Sequence, residues 1–255
     1  MCGRYSATKS PAALAAEFDA VDATGGGAPG ADYNVAPTKP VITVVDRHPR
    51  DEQGTQDLDH IQRSLRVMRW GLVPHWAKDR SIGGRMFNAR SDTVASKAAF
   101  RGSLARRRCL VPADGWYEWR RDGRAKQPFY MTRRDGASIA FAGLWSTWRD
   151  PADTSDDPAT LLVSCAILTT DAVGQLTGIH PRMPLQLPTS AWAGWLNPDS
   201  FDVGDALTNP DPALVDDLEL RPISDAVNNV RHNGPELLVA ADRPEIVELD
   251  RTSSS

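Results

Sequence analysis

Four short apolar runs, 106–111, 115–119, 128–131 and 139–144, follow one another with turn signals at Asp122-Gly123 and Asp135-Gly136. Runs this short suit strands, and Asp-Gly is a dipeptide that closes tight hairpins, so this stretch is predicted to be a β-meander. Further runs at 41–45, 65–70, 161–168, 218–223 and 237–240 also read as strands. Helical signals are few. Ser10-Pro11 supplies an N-cap and a first-turn proline for a helix over 12–18 with Leu14, Ala15 and Phe18 on one face. Ser91 or Asp92 is placed to cap a helix running through Phe100, a helical turn is expected at 171–176, and Thr189 opens a capped helix over 189–196 carrying Trp192 and Trp195. The Gly/Ala/Pro-rich stretch 24–30 reads as loop, and the polar, acidic 46–59 as an exposed hairpin loop or insertion between strands that pair. No repeat or composition break divides the chain. One α+β domain dominated by antiparallel sheet is expected over 1–240, with a partly disordered tail over 241–255.

The formal net charge of −4 hides an asymmetry. Between Gln62 and Arg134, 18 Lys and Arg stand against 5 Asp and Glu, a net of +13, so the remainder carries −17. Such a segment is either a solvated charged face or a surface for a polyanion. Trp70, Trp76, Phe87, Phe100, Trp116, Tyr117 and Trp119 are interleaved with its cations, as unstacked bases on a phosphate backbone require, and this favours single-stranded nucleic acid. No apolar run is long enough for a membrane span, and no basic-then-apolar leader is present. The scattered Cys2, Cys109 and Cys165 fit a reducing compartment, so a cytoplasmic protein is expected. With neither C-x-x-C nor H-x-x-x-H spacing, no metal or cofactor is expected.

Cys2 is the chemically distinctive position. If Met1 is removed, Cys2 carries a free α-amine and a thiol on adjacent carbons. The amine, with a pKa of roughly 8, forms a Schiff base with an aldehyde, and the thiol then closes a thiazolidine ring. No internal cysteine offers both groups. The alternative is that position 2 is simply a small residue.

Three further pieces carry candidate chemistry. Asn88 and Arg90, two apart in an extended segment, project to one side and suit a sugar oxygen and a phosphate, although Asn88 would serve equally as a helix-entry cap. In Asp114-Gly115-Trp116-Tyr117-Glu118-Trp119 the flanking aromatics would desolvate Glu118 and raise its pKa into the range of a general acid, unless Glu118 is an outward-facing acid on an alternating strand. His180 lies in the proline-braced Ile179-His180-Pro181-Arg182-Met183-Pro184, which fixes a backbone but does not by itself make a catalyst.

Met1-Cys2-Gly3-Arg4-Tyr5, Tyr33-Asn34-Val35-Ala36-Pro37-Thr38, Arg69-Trp70-Gly71-Leu72-Val73-Pro74, Phe87-Asn88-Ala89-Arg90-Ser91, Ala113-Asp114-Gly115-Trp116-Tyr117-Glu118-Trp119, His180-Pro181-Arg182-Met183-Pro184 and Val227-Asn228-Asn229-Val230 occur in this order. With them the chain resembles the SOS response-associated peptidase (SRAP) family from Cys2 to about Leu238. The resemblance implies covalent crosslinking to abasic sites in single-stranded DNA through a thiazolidine at Cys2. It implies that Asn88 orients the sugar, that Glu118 and His180 transfer protons, and that Arg4, Asn34, Pro37, Trp70, Trp76, Arg90 and Arg182 hold DNA. It also implies a compact, barrel-like β structure with flanking short helices. Pro181 departs from the polar or acidic residue that follows the histidine in many relatives. The expectation is a monomeric abasic-site crosslinking enzyme whose partner is single-stranded DNA. A cysteine peptidase or hydrolase, including self-removal of Met1, and a non-catalytic single-strand-binding module are the alternatives.

Overall fold

The computed structural model describes residues 2–51, 53–123, 125–155, 157–207 and 211–241; apart from residue 241, the expected tail lies outside the described residues. In chain order the elements are β1 (Tyr5–Ala7), α1 (Pro11–Phe18), β2 (Val21–Asp22), β3 (Asp32–Val35), β4 (Pro40–Arg47), β5 (Gln62–Trp70), β6 (Asn88–Arg90), α2 (Ala98–Arg106), β7 (Arg108–Ala113), β8 (Gly115–Asp122), β9 (Ala125–Arg133), β10 (Ile139–Trp148), β11 (Leu162–Asp171), β12 (Arg182–Pro184), α3 (Thr189–Leu196), α4 (Pro212–Asp216) and β13 (Leu218–Pro222).

One sheet runs β12-β11-β10-β7-β4-β5-β2, and a further parallel pairing of β11 with β5, Ser164 to Arg69 and Cys165 to Trp70, joins β11, β10, β7, β4 and β5 into a ring. The expected barrel-like α+β fold is therefore present. Alternate residues point inward: Val41 and Val45, Met68 and Trp70, Cys109 and Val111, Phe141 and Trp145, and Cys165 and Ile167 fill the interior. The outer face is covered by α1, α2 and α3 through Leu14, Phe18, Leu104, Trp192 and Trp195. Phe18 stacks on Trp192 with centroids 4.5 Å apart. Burying a side chain such as Phe18 contributes on the order of 2–3 kcal/mol, so apolar burial rather than surface pairing holds the helices on the ring.

Local signals explain several elements directly. Ser10 Oγ accepts the Ala13 N–H at 3.2 Å and starts α1. The β4–β5 register, Arg47 opposite Gln62, makes the acidic stretch a hairpin loop, as its composition predicts. The turn expected at 171–176 is a 3-10 helix at Gly174–Gly178, because β11 continues to Asp171.

Four expectations need correction. The central strands are not one meander: β8 and β9 form the Asp122-Gly123 hairpin in a second sheet, β13-β9-β8-β1-β3, while β7 pairs with β10 across it. Gly115 permits the crossing, since a Cβ there would collide with the Met131 carbonyl. No helix runs from Asp92 to Phe100, because the Asp92 carboxylate is taken by Arg90; α2 starts later, after Lys97, without a side-chain cap. Helix α3 likewise follows Pro188 with no side-chain cap. Finally, 237–240 is not a strand: Leu237 and Leu238 end a 3-10 helix, Pro235–Leu238, and Ala240 makes one bridge to Ile223. No helix among the described residues is long and apolar enough to cross a membrane.

Candidate active site

Cys2 immediately precedes the edge where the ring meets the second sheet. Strand β1 lies between β8 and β3, with Tyr5 opposite both Trp116 and Val35, and the Tyr117 N–H donates to the Arg4 carbonyl at 3.0 Å. This pairing lays Cys2 against β8 and against the interior of the ring, where it is fully buried. Strand β6, added in parallel to β11 with Asn88 opposite Ile167, brings in the amide: Asn88 Nδ2 donates to the Cys2 carbonyl at 2.7 Å. Ala89 turns into the core, so Asn88 and Arg90 share the other side, as their spacing predicts. Asn88 Oδ1 is buried and has no hydrogen-bond partner among the described residues, which leaves an acceptor beside Cys2.

Glu118 does not face outward. Residues 115–118 of β8 are all buried, Glu118 at 4% exposure, because the strand is covered on both faces. Burial pushes its carboxyl above the usual carboxylate range, while nearby positive charge, His180 included, acts in the opposite direction. The Cys2 thiol is also pushed up, first by its burial and then by Glu118 when that carboxyl is ionised. Glu118 thus interacts electrostatically with both Cys2 and His180, and Asn88 is hydrogen-bonded to Cys2.

His180 is held by backbone. Its N–H donates to Leu176 O at 3.1 Å, and Pro181 O accepts the Ala172 N–H at 2.9 Å. The ring Nδ1 lies 3.0 Å from the Arg182 N–H and 2.9 Å from the Arg182 carbonyl. It accepts from the first in one tautomer and donates to the second in the other, so the backbone at Arg182 fixes the orientation of the ring.

The residues expected to hold DNA divide by exposure. Trp76 is 52% exposed, Arg90 is exposed with its guanidinium on Asp92 at 2.5 Å, and Pro37 is half-buried. Arg4 is partly buried; it donates to Asn34 Oδ1 at 2.7 Å and Val227 O at 2.8 Å, and burial lowers its pKa. Three others are corrections. Trp70 is fully buried, donates Nε1–H to Phe87 O at 2.9 Å and sits edge-on to Tyr5, so no ring face is open to a base. Asn34 is fully buried and donates to the carbonyls of Val227, Asn229 and His232, tying down the 227–232 turn. Arg182 is 9% exposed and committed to Asp171 at 2.7 Å and Thr169 O at 2.6 Å, bracing the loop that holds His180.

Sequence reasoning passed over Thr38. It has φ +80, a strained value for a β-branched residue, and its N–H donates to Trp70 O at 2.7 Å, fixing the turn after Pro37. Nothing in its residue type signals this. Among the described residues no group of His, Cys, Asp or Glu is arranged to hold a metal ion.

A family model described as SOS response associated peptidase (SRAP) matches residues 1–230. The chain belongs to the SRAP family. It is 34% identical over 239 residues to the abasic site processing protein YoqW of Bacillus subtilis, covering 93% of this chain and 99% of that one. It is 33% identical over 223 residues to the abasic site processing protein HMCES of Gallus gallus, covering 78% and 64%. A solved structure from Bacteroides thetaiotaomicron shares the fold at 23% identity, with a TM-score of 0.72 over 94% of this chain and 100% of that one.

Proposed function

We propose that this SRAP protein processes abasic sites in single-stranded DNA by covalent capture at Cys2. The observation that carries the reading is the set of groups around one buried cysteine: Asn88 on its carbonyl at 2.7 Å and a buried Glu118 whose carboxyl is raised. The names of the relatives, abasic site processing proteins, supply the substrate class.

Removal of Met1 frees the Cys2 α-amine, and self-removal within this site is part of the proposal. An abasic deoxyribose in its open form presents an aldehyde. Glu118, whose burial favours the protonated carboxyl, gives a proton to the ring oxygen as the sugar opens, and its carboxylate takes up the proton that the anomeric hydroxyl releases. The amine condenses with the aldehyde and one water leaves. The thiol then adds to the imine carbon, a C–S bond forms, and the thiol proton passes to the ring nitrogen by way of Glu118 or His180. Asn88 holds Cys2 through Nδ2 and offers Oδ1 to a sugar hydroxyl. A fully buried nucleophile is reached by a slim group, and a sugar stripped of its base is one. Arg90, Pro37 and Trp76 are the accessible residues proposed to hold the strand.

The cysteine-peptidase alternative needs a thiolate poised beside a base. Here burial pushes the thiol up and disfavours the thiolate, which weighs against it as the principal activity. Incubation with abasic and intact single strands, followed by denaturing electrophoresis, tests the reading. A retained band with the abasic strand alone is expected; retention of neither strand, with peptide turnover, would transfer the site to hydrolysis.

A further inference from the structure

Cations converge at the end of the ring away from Cys2. Strand β7 runs toward Ala113, where the chain crosses to β8 and Glu118, and Arg107 stands just before its start. On β4 the run from Pro40, opposite Arg69 and near Trp70, to Arg47 spans on the order of 20 Å at ~3.4 Å per residue. Arg47 shares the inward parity of Val41 and Val45, Arg66 that of Met68 and Trp70, and Arg107 that of Cys109 and Val111. All three therefore lie on the inner side of the ring, where Arg47 and Arg66 stay exposed and Arg107 is half-buried, and the charges of Arg66 and Arg107 reach Arg47. The floor here is the ring of Trp145, 7% exposed, with the Arg47 guanidinium 5.1 Å and the Arg107 guanidinium 5.6 Å from its centroid. Arg66 Nε is steadied by Ser64 Oγ at 3.3 Å.

Nothing among the described residues neutralises this group. No carboxylate pairs with Arg47, Arg66 or Arg107, and the acid nearest in sequence, Asp46, is held on the other face of β4 by both Arg63 Nε and Nη2, at 2.8 and 3.1 Å. Partial desolvation, and then the charges of Arg66, Arg50 and Arg107, pull the Arg47 guanidinium below its usual value. An aromatic floor orients guanidiniums but leaves their charge intact. Like charges held together without counter-charge are relieved by an oxyanion bridging them, and guanidinium forks match phosphate oxygens in pairs.

We propose that Arg47 and Arg107 over Trp145, together with Arg66, form a phosphate-binding site at this end of the ring, separate from Cys2. Its ligand is a set of adjacent phosphate oxyanions, borne either by a free polyphosphate or by nucleic-acid backbone that extends past the Cys2 site. The proposal is independent of the chemistry assigned to Cys2.

The test uses the full chain, Arg66→Gln, and the double variant Arg47→Gln with Arg107→Gln, all checked for a wild-type circular dichroism spectrum. Calorimetric titration with inorganic tripolyphosphate at low salt probes the free-ligand source. Affinity is expected to fall roughly tenfold in Arg66→Gln and further in the double variant, as loss of a charge-assisted bond predicts. Titration with a long intact single strand probes the backbone source, for which the slope of log affinity against log salt is expected to fall by about one per arginine removed. A short abasic strand, too short to reach from Cys2 to these arginines, should crosslink to every variant at the wild-type rate. Variants that match wild type with both tripolyphosphate and the long strand would overturn the site.

Discussion

Replacing Glu118 by Gln tests the site through a property that can be measured without DNA. The side chain is 4% exposed, and burial holds its carboxyl above the usual range. Between the ordinary Glu value of about 4.3 and the raised folded value, the native state keeps a proton that the unfolded chain has released. The unfolded state then binds fewer protons, so stability falls as pH rises through that window. The fall is about 1.4 kcal/mol for each pH unit separating the two values, is complete above the raised value, and is absent below the ordinary one. Gln is neutral in both states and nearly isosteric. Glu118→Gln should match wild type in urea unfolding near pH 4 and become more stable than wild type as pH rises from the ordinary Glu value to the raised one, with a constant difference above it. The same variant should crosslink abasic DNA roughly 10²-fold more slowly in single turnover, because the proton donor is gone. A stability difference that does not change with pH, or a variant at full crosslinking speed, would refute the argument that burial turns this carboxyl into an acid.

Trp70→Ala should cost about 3–5 kcal/mol of stability, the range for emptying a large aromatic site, because its ring packs on Tyr5 and Phe87; loss of DNA affinity at unchanged stability would return Trp70 to the DNA face. Arg90→Ala should lower the salt slope of single-strand binding by about one, with circular dichroism unchanged. An unaltered slope would remove Arg90 from the strand path.

Where a signal acts locally, the fold was legible from residues alone. The Ser10 cap, the Asp122-Gly123 hairpin, the acidic loop expected at 46–59, whose first two residues prove to end β4, and the period-two interior of β4, β5, β7, β10 and β11 all follow from neighbours in sequence. What the residues concealed is set by distant partners. Nothing near Gly115 announces that β8 leaves for another sheet, since its partners β1 and β9 lie on either side of it in the chain. Asp92 looked like a cap until Arg90 claimed it. In the site, the flanking aromatics offered burial as one of two readings of Glu118, and the chemistry proposed for Cys2 rests on residue type. The burial of Trp70, Asn34 and Arg182 could not, because an arginine bonded to Asp171 and one bound to a phosphate look alike in sequence.

The central claim is that Cys2 uses its amine and its thiol together, and the intact mass of the DNA adduct tests it most directly. Wild type mixed with an abasic single strand, without reductant, should give a heat-stable species weighing the chain without Met1 plus the oligonucleotide less one water. Cys2→Ser, its N-terminus verified by mass, keeps the amine but replaces the thiol with a hydroxyl, a far poorer nucleophile toward an imine. It should give an adduct only when borohydride traps the Schiff base. An adduct that retains Met1, or a Cys2→Ser adduct as heat-stable as that of wild type without reductant, would contradict the account.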